Sequence, residues 1–201
     1  MRKIKTVVFD IGGVMVIGDN MKTHYAPLIK SMNLDKKKYF DSYKKHVYGA
    51  SRGKITSNKM ILLIAKDLKI NGKELYNNWT KYKKKSIKKN VELEKYIKKL
   101  KKEGYKVGSM SGVLDLHYKL FKEKKIYDVF DFNICSFKTG YNKPDIGIYK
   151  LLLKRLKISP QEIVFIDDVK KCIIPAKKLG IKTILYKNNK QLFKALKKVL
   201  R

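Results

Sequence analysis

Cysteine, arginine and acidic residues are all scarce in this chain, and each scarcity narrows what the protein can be. The two cysteines, Cys135 and Cys172, stand far apart in apolar surroundings, without the spacing of a metal site. A disulfide framework and a thiolate zinc centre are thereby excluded. Two buried free thiols are expected instead, with a cytoplasmic location as the matching expectation. Acidic residues number 17 against 49 basic ones, which leaves a net charge of +32. Among the basic residues only Arg2, Arg52, Arg155 and Arg201 are arginine; the rest are lysines spread along the whole chain. Proteins that read bases or grip phosphates specifically lean on arginine's bidentate fork, gathered in one footprint. Specific nucleic-acid binding is therefore not expected, although such a field attracts polyanions non-specifically.

Long apolar runs are missing too. None reaches the ~18 residues that a membrane helix needs, so no membrane partner is expected. Met1-Arg2-Lys3-Ile4-Lys5 before an apolar run has the outline of a secretory signal, but Asp10 interrupts that run and no small-residue cleavage pattern follows. A buried strand ending in a working carboxylate accounts better for the same residues. Repeats and low-complexity linkers are absent, and 201 residues suffice for one core with a modest insertion.

What is present is an alternation of strands and helices. Ile4 to Phe9, with β-branched and aromatic Val7-Val8-Phe9, reads as a buried strand ended by Gly12-Gly13. From about Asn20 to Lys89 the pattern is helical. Pro27 suits a first turn, with Leu28, Ile29 and Met32 as the stripe; Thr56 caps the run Met60 to Ile64, and Asn71-Gly72 ends that unit. Asn90 opens an amphipathic helix with Val91, Leu93, Tyr96, Ile97 and Leu100 inward, stopped at Gly104. Beyond it come a strand at 105–109, a helix at 114–121, a strand at 130–134 and a helix at 146–156. Ser159 to Glu162 form a capping box before a strand at 163–166, and a helix at 173–179, a strand at 181–186 and a helix at 191–200 complete the chain. This pattern predicts an α/β, Rossmann-like three-layer core of residues 1–17 and 89–201, with an all-helical cap of residues 18–88 inserted after the first strand.

Open parallel sheets bind ligands beyond the carboxyl ends of their strands. The residues found there are Asp10, Ser111-Gly112 and Asp167-Asp168, joined by the loop Lys143-Pro144-Asp145. Three carboxylates, a hydroxyl and a lysine thus converge on one edge. In that order they resemble the four motifs of the haloacid dehalogenase superfamily. Val7-Val8-Phe9-Asp10-Ile11-Gly12-Gly13-Val14 is similar to its first motif and Ser111 to its second. Lys143 in Lys-Pro-Asp matches the third, and Phe165-Ile166-Asp167-Asp168 the acidic fourth. Arg52-Gly53-Lys54-Ile55-Thr56 resembles a turn of the sugar-phosphatase and epoxide-hydrolase-phosphatase branch.

The resemblance implies a Mg2+-dependent phosphohydrolase acting on a small phosphorylated metabolite through an aspartyl-phosphate on Asp10. Asp10, the Gly12 carbonyl and Asp168 would hold the metal, with Asp167 an alternate or indirect ligand. Ser111 and the Gly112 amide would bind phosphoryl oxygens, and Lys143 would neutralise charge between nucleophile and phosphate. Cap residues near Tyr25, Tyr48 and Arg52 would face the substrate.

Three positions depart from the family pattern. Gly12 stands where most such phosphatases carry a second aspartate as general acid. Gly112 replaces an asparagine that commonly follows the serine. Cys172 replaces a polar residue that braces the acidic loop, which would lower metal affinity. His24 and His46 are candidates for a substitute acid, although a satisfied histidine is the commoner state, and His117 reads as structural. Two other readings share the scaffold. A 2-haloacid dehalogenase would need neither the metal nor Asp167-Asp168, and a catalytically weakened binding or regulatory protein would put the positive charge to use on an RNA or another anionic partner.

Overall fold

The computed structural model describes residues 3–18 and 21–200; Met1, Arg2, Arg201 and the expected start of the helical stretch at Asn20 lie outside them. The chain opens with β1 (Thr6–Phe9), all four residues of which are buried. A short β2 (Val16–Ile17) follows, then a π-helical turn and four helices: α1 (Ala26–Ser31), α2 (Lys36–Ser51), α3 (Ser57–Leu68) and α4 (Gly72–Ser86). Next come β3 (Lys88–Lys89), α5 (Val91–Lys102), β4 (Lys106–Ser111), α6 (Asp115–Glu123), β5 (Phe132–Cys135) and α7 (Ser136–Thr139). The chain closes with α8 (Ile146–Leu156), a 3₁₀ turn, β6 (Ile163–Asp167), α9 (Lys170–Lys178), β7 (Lys182–Leu185) and α10 (Asn189–Val199).

Five strands form one parallel sheet in the order β5-β4-β1-β6-β7, so β1 is central and buried on both faces. This explains why Val7-Val8-Phe9 and Ile163-Val164-Phe165-Ile166 are continuous apolar runs and do not alternate. Side chains of alternate parity feed two cores. Val7, Phe9, Val107 and Ile166 face α5 and α10, while Val8, Met110, Phe165 and Ile134 face α8 and α9. The α/β sheet with helices on both faces is the fold expected from the alternation.

The helical stretch leaves and rejoins the sheet through one ribbon, because β2 pairs antiparallel with β3 (Val16 opposite Lys89, Ile17 opposite Lys88). Its start signals work as capping chemistry predicts. Thr56 accepts from the Lys59 amide at 3.2 Å and Asn90 from the Leu93 amide at 3.2 Å. Asn71 does not end the preceding unit. That helix stops at Leu68, with Lys69 left-handed, and Asn71 instead caps α4 by accepting from Glu74 N at 2.9 Å.

Other boundaries moved as well. Beta 4 runs to Ser111 rather than 109, β5 starts at Phe132, and α9 begins at Lys170 and carries Pro175 inside it. Val91, expected inward, is 55% exposed. At about 100° per residue Val91 lies about 200° round the helix from Leu93, so it faces away from the stripe of Leu93, Ile97 and Leu100 that meets the sheet. Both cysteines are buried free thiols. Among the described residues no helix is long and apolar enough to cross a membrane.

Candidate active site

Strand register decides which carboxylates meet. Phe9 is level with Ile166 on β6, and the Asp10 amide donates to the Ile166 carbonyl at 2.8 Å. The next residues on the two strands, Asp10 and Asp167, therefore emerge side by side at the carboxyl edge. Both are buried, at 7% and 0% exposure.

Two like charges so placed need a counter-ion, and Lys143 supplies it. Its Nζ lies 2.7 Å from Asp10 Oδ1 and 2.6 Å from Asp167 Oδ2, with the side chain only 4% exposed. The remaining contacts are specific. Asp10 Oδ1 also accepts from the Ile11 amide at 2.7 Å, and Asp167 Oδ1 accepts from Val169 N at 2.8 Å. Every oxygen of Asp167 is thus engaged within the protein. Asp10 Oδ2 has no hydrogen bond to a described residue.

The electrostatics follow from burial. Desolvation, with the Asp167 charge, pushes Asp10 up to about 7, although Lys143 and the Ile11 amide pull the other way. Burial works against the Lys143 charge as well, but Asp10 and Asp167 together outweigh it and hold the ammonium well above its ordinary value. Asp168 is raised by desolvation and by Asp167, while Lys143 opposes the shift. Three acids, two buried and Asp168 at the exposed rim, face one lysine, and a cation would relieve the negative charge gathered there.

The donor set fits magnesium. Carboxylate oxygens of Asp10, Asp167 and Asp168 lie within 4.8 Å of one another, which suits a hard divalent ion. Gly13 makes room for the third of them. It sits at φ +75°, and a Cβ there would come 2.1 Å from Asp168 Oδ2, so both the backbone and the carboxylate require glycine.

Two cavities meet at this edge. A small one of about 220 Å³ is lined by Asp10, Gly12, Gly112, Asn142, Lys143 and Cys172. A larger cleft of about 570 Å³ lies between the sheet edge and the helical stretch, walled by Tyr25, Tyr43, Tyr48, Val47, Leu114 and His117, with Lys44, Arg52 and Lys83 as cations. Polar contacts fix the helices over it. Arg52 Nη2 lies 2.5 Å from Asp145 Oδ2 while its guanidinium stacks 3.7 Å from the Tyr48 ring centroid. Ser57 N donates to Asp115 Oδ1 at 2.8 Å, at the start of α6. Gly53, at φ +71°, lets the loop press on the Phe137 carbonyl, where a Cβ would stand 2.0 Å away.

Of the residues singled out from sequence, Asp10, Gly12, Gly112 and Lys143 line the small cavity, with Asp167 and Asp168 beside it. Tyr25, Tyr48 and Arg52 line the cleft. Ser111 is buried at 2% exposure near Tyr127 and Cys135, lines neither cavity, and its hydroxyl has no hydrogen-bond partner of good geometry.

His46 is not in the site. Its Nε2 lies 2.8 Å from Asp67 Oδ2, which also accepts from Ser42, so it ties α2 to α3. His24 packs against Tyr25 and edge-on to Trp79, fully buried. His117, read as structural, does line the cleft, with Trp79 Nε1 donating to its Nε2 at 3.4 Å. Burial, aided by Lys83, holds its pKa well below the usual value, so it is neutral. Asn142 escaped the sequence reading because nothing local marks it; only the fold of the Lys143 loop brings it to Gly112. Cys172 lines the small cavity, and burial pushes its thiol up to about 11, so it is no ligand thiolate.

Comparison with known proteins supports the same scaffold. The profile of the family described as haloacid dehalogenase-like hydrolase matches residues 7–186. A 70-residue stretch is 46% identical to bifunctional epoxide hydrolase 2 of Sus scrofa, covering 35% of this chain and 13% of that much longer protein. Glyceraldehyde 3-phosphate phosphatase of Methanocaldococcus jannaschii is 34% identical over 92 residues, which is 45% of this chain and 40% of that one. A solved haloacid dehalogenase family enzyme of Bacteroides thetaiotaomicron superposes with a TM-score of 0.79 at 22% identity, covering 92% of this chain and 95% of that one. The Bacteroides enzyme has also been solved with magnesium and inorganic phosphate, where the TM-score is 0.66.

Proposed function

The chain belongs to the haloacid dehalogenase-like hydrolase family, and from that premise we propose that it is a Mg2+-dependent phosphohydrolase for a small phosphorylated metabolite, with Asp10 as nucleophile. The observation that carries this reading is the asymmetry of the Asp10 carboxylate. Oδ1 is pinned by Lys143 and the Ile11 amide, while Oδ2 makes no hydrogen bond to a described residue, in a carboxylate that lines a cavity of about 220 Å³, roomy enough for a phosphoryl group. Oδ2 attacks phosphorus in line, the ester oxygen departs with its electron pair, and an aspartyl-phosphate forms on Asp10. Water then cleaves the acyl phosphate, releasing inorganic phosphate and restoring the carboxylate. Lys143 offsets the negative charge gathered between carboxylate and phosphate, and the Gly112 amide binds a phosphoryl oxygen; Ser111, buried off the cavity wall, supports the Gly112 turn from behind.

Asp10, Asp168 and the Gly12 carbonyl would hold magnesium, while Asp167, with both oxygens committed to Lys143 and Val169, orients the lysine. When bound, the metal supplies positive charge that screens the phosphoryl oxygens. Residues 18–88 act as a cap whose aromatic and cationic wall receives the leaving group. The dehalogenase reading leaves the Asp10-Asp167-Asp168 cluster without a purpose. The names of the phosphatase relative and the magnesium-phosphate complex of the Bacteroides enzyme support the phosphatase reading.

The test is phosphate release across sugar phosphates, nucleotides, acyl phosphates and para-nitrophenyl phosphate, with magnesium or with chelator. Release on at least one substrate, lost by about 100-fold or more on chelation, is expected. No release from any of them in magnesium sinks the proposal.

The acid position makes a second prediction. A Cβ at Gly12 meets nothing within 4 Å, and the residue is outside the left-handed region, so a side chain fits. Gly12→Asp is expected to raise kcat on alkyl phosphates by about 10- to 100-fold, within the range of a positioned general acid. Para-nitrophenyl phosphate, whose leaving group needs little protonation, should gain under threefold by the same reasoning. Equal gains on both substrates would show that the missing proton donor is not what limits the enzyme.

A further inference from the structure

Asn142 stands at the neck where the two cavities join. Among the described residues only Gly112 and Lys143 share that position with it. Its carboxamide leans directly on Gly112: a Cβ at residue 112 would lie 2.3 Å from Asn142 Oδ1. Gly112 is not in the left-handed region, so the missing side chain there serves this close approach and not the backbone.

The backbone of Asn142 is fixed. Its carbonyl accepts from Asp145 N at 2.7 Å and its amide donates to Asp145 Oδ2 at 3.4 Å, the same carboxylate that Arg52 grips. The carboxamide itself makes no hydrogen bond to a described residue, although it offers two donors and an acceptor. A carboxamide carried on a hydrogen-bonded backbone, with no hydrogen bond to a described residue and beside Gly112 and the Lys143 ammonium, is placed to meet an anion.

We propose that Asn142 is a phosphoryl-binding residue, whose Nδ2 donates to an oxygen of the phosphate ester seated between Gly112 and Lys143. The proposal rests on the phosphohydrolase reading. Gly112 and Asn142 form one unit: the chain carries the amide on the Lys143 loop, and residue 112 gives up its side chain to let it in.

The test uses the full-length protein with inorganic phosphate as competitive inhibitor and para-nitrophenyl phosphate as substrate. Asn142→Ala is expected to raise the phosphate inhibition constant and lower kcat/KM by about tenfold each, the order expected for one hydrogen bond to a charged oxygen. The melting temperature should be unchanged. Asn142→Asp should lose more, because its carboxylate repels the phosphate. The decisive variant is Asn142→Ala with Gly112→Asn, which returns a carboxamide to the same space from the other side and should recover at least threefold of the loss. If Asn142→Ala stays within twofold of the parent on both constants, or the folded double variant is no better than the single, the assignment is wrong. If the parent protein neither releases nor binds phosphate, the phosphohydrolase reading fails and takes this proposal with it.

Discussion

Asp10→Asn is expected to abolish phosphate release, with kcat falling by about 10⁴-fold or more, since losing a nucleophile removes the covalent route altogether. The fold should survive. Asparagine keeps the shape and an oxygen for the Ile11 amide, while Lys143 keeps Asp167 at 2.6 Å. The two proteins should differ in how pH affects stability. Burial raises Asp10 from 3.8 in the unfolded chain to about 7 in the metal-free native state. A raised native pKa means that the folded protein holds a proton which the unfolded chain has already released. Its contribution to stability is complete below about pH 4 and is lost as pH rises through about 7. Asparagine does not titrate, so the variant should melt progressively higher relative to metal-free parent protein over that interval. Magnesium should erase the difference by stabilising the ionised parent carboxylate. A rate above one-tenth of the parent, with contaminating phosphatase excluded, would show that another group attacks phosphorus. An acid quench of the parent protein should trap the phosphoryl group on residue 10 and on no other carboxylate.

Lys143→Met is the second severe case, and it should strike stability and rate together. The substitution keeps the length of the chain but leaves Asp10 and Asp167 buried side by side without a counter-ion. Breaking one partner out of a buried pair typically costs about 3–5 kcal/mol. For a chain of this size that is a loss of about 6–20 °C in melting temperature. The sign against pH is fixed by the same physics: carboxylates without the lysine hold protons more tightly, so the deficit should be small in acid and widen towards neutral pH. Activity should fall by about 10³-fold, because one positive group near the transferring phosphoryl is lost and the nucleophile is left protonated near neutral pH. Lys143→Arg tests whether charge alone suffices. A planar fork cannot sit as a point charge 2.7 and 2.6 Å from two carboxylates on adjacent strands, so arginine should rescue stability better than rate. A Lys143→Met protein that melts within 2 °C of the parent would mean that the buried triad is not held together as the geometry indicates.

Much of the architecture was legible from the order of residues because burial on both faces leaves a strong mark. Runs such as Ile163-Val164-Phe165-Ile166 have few other places to go, and the acidic residue after each run lands at the carboxyl edge by the length of the strand. Caps at Thr56 and Asn90 were readable because the side-chain oxygen that satisfies the first turn is local. Boundaries set by tertiary packing were not. Whether Asn71 closes one helix or opens the next depends on where Lys69 turns left-handed. Val91 faces solvent because it lies about 200° round α5 from Leu93, on the side opposite the buried stripe.

The histidines show the limit most clearly. Sequence singled out His24 and His46 as possible acids, yet His46 is spent on Asp67 and His24 is packed among aromatic rings, while His117 reaches the cleft wall. Three histidines are chemically identical in sequence; the packing of α2 on α3 holds His46 away, and that of α4 on α6 sets His117 against Trp79 in the cleft wall.

By itself, then, the amino-acid order determined the parallel sheet, the helical insertion after its first strand and the short list Asp10, Ser111, Lys143, Asp167 and Asp168. The sheet, the insertion and the residues at strand ends follow from periodicity and strand length, which act over a few residues, whereas Lys143 stands out through the motif resemblance. The tertiary structure decided that Asp167 holds the lysine while Asp168 is left open beside Gly13, that Ser111 is buried off the cavity wall, and that Asn142 fills the space vacated at Gly112. Each of these depends on register between strands and on loops folding back over more than twenty residues, where the distance between two side chains is set by packing and not by their spacing along the chain.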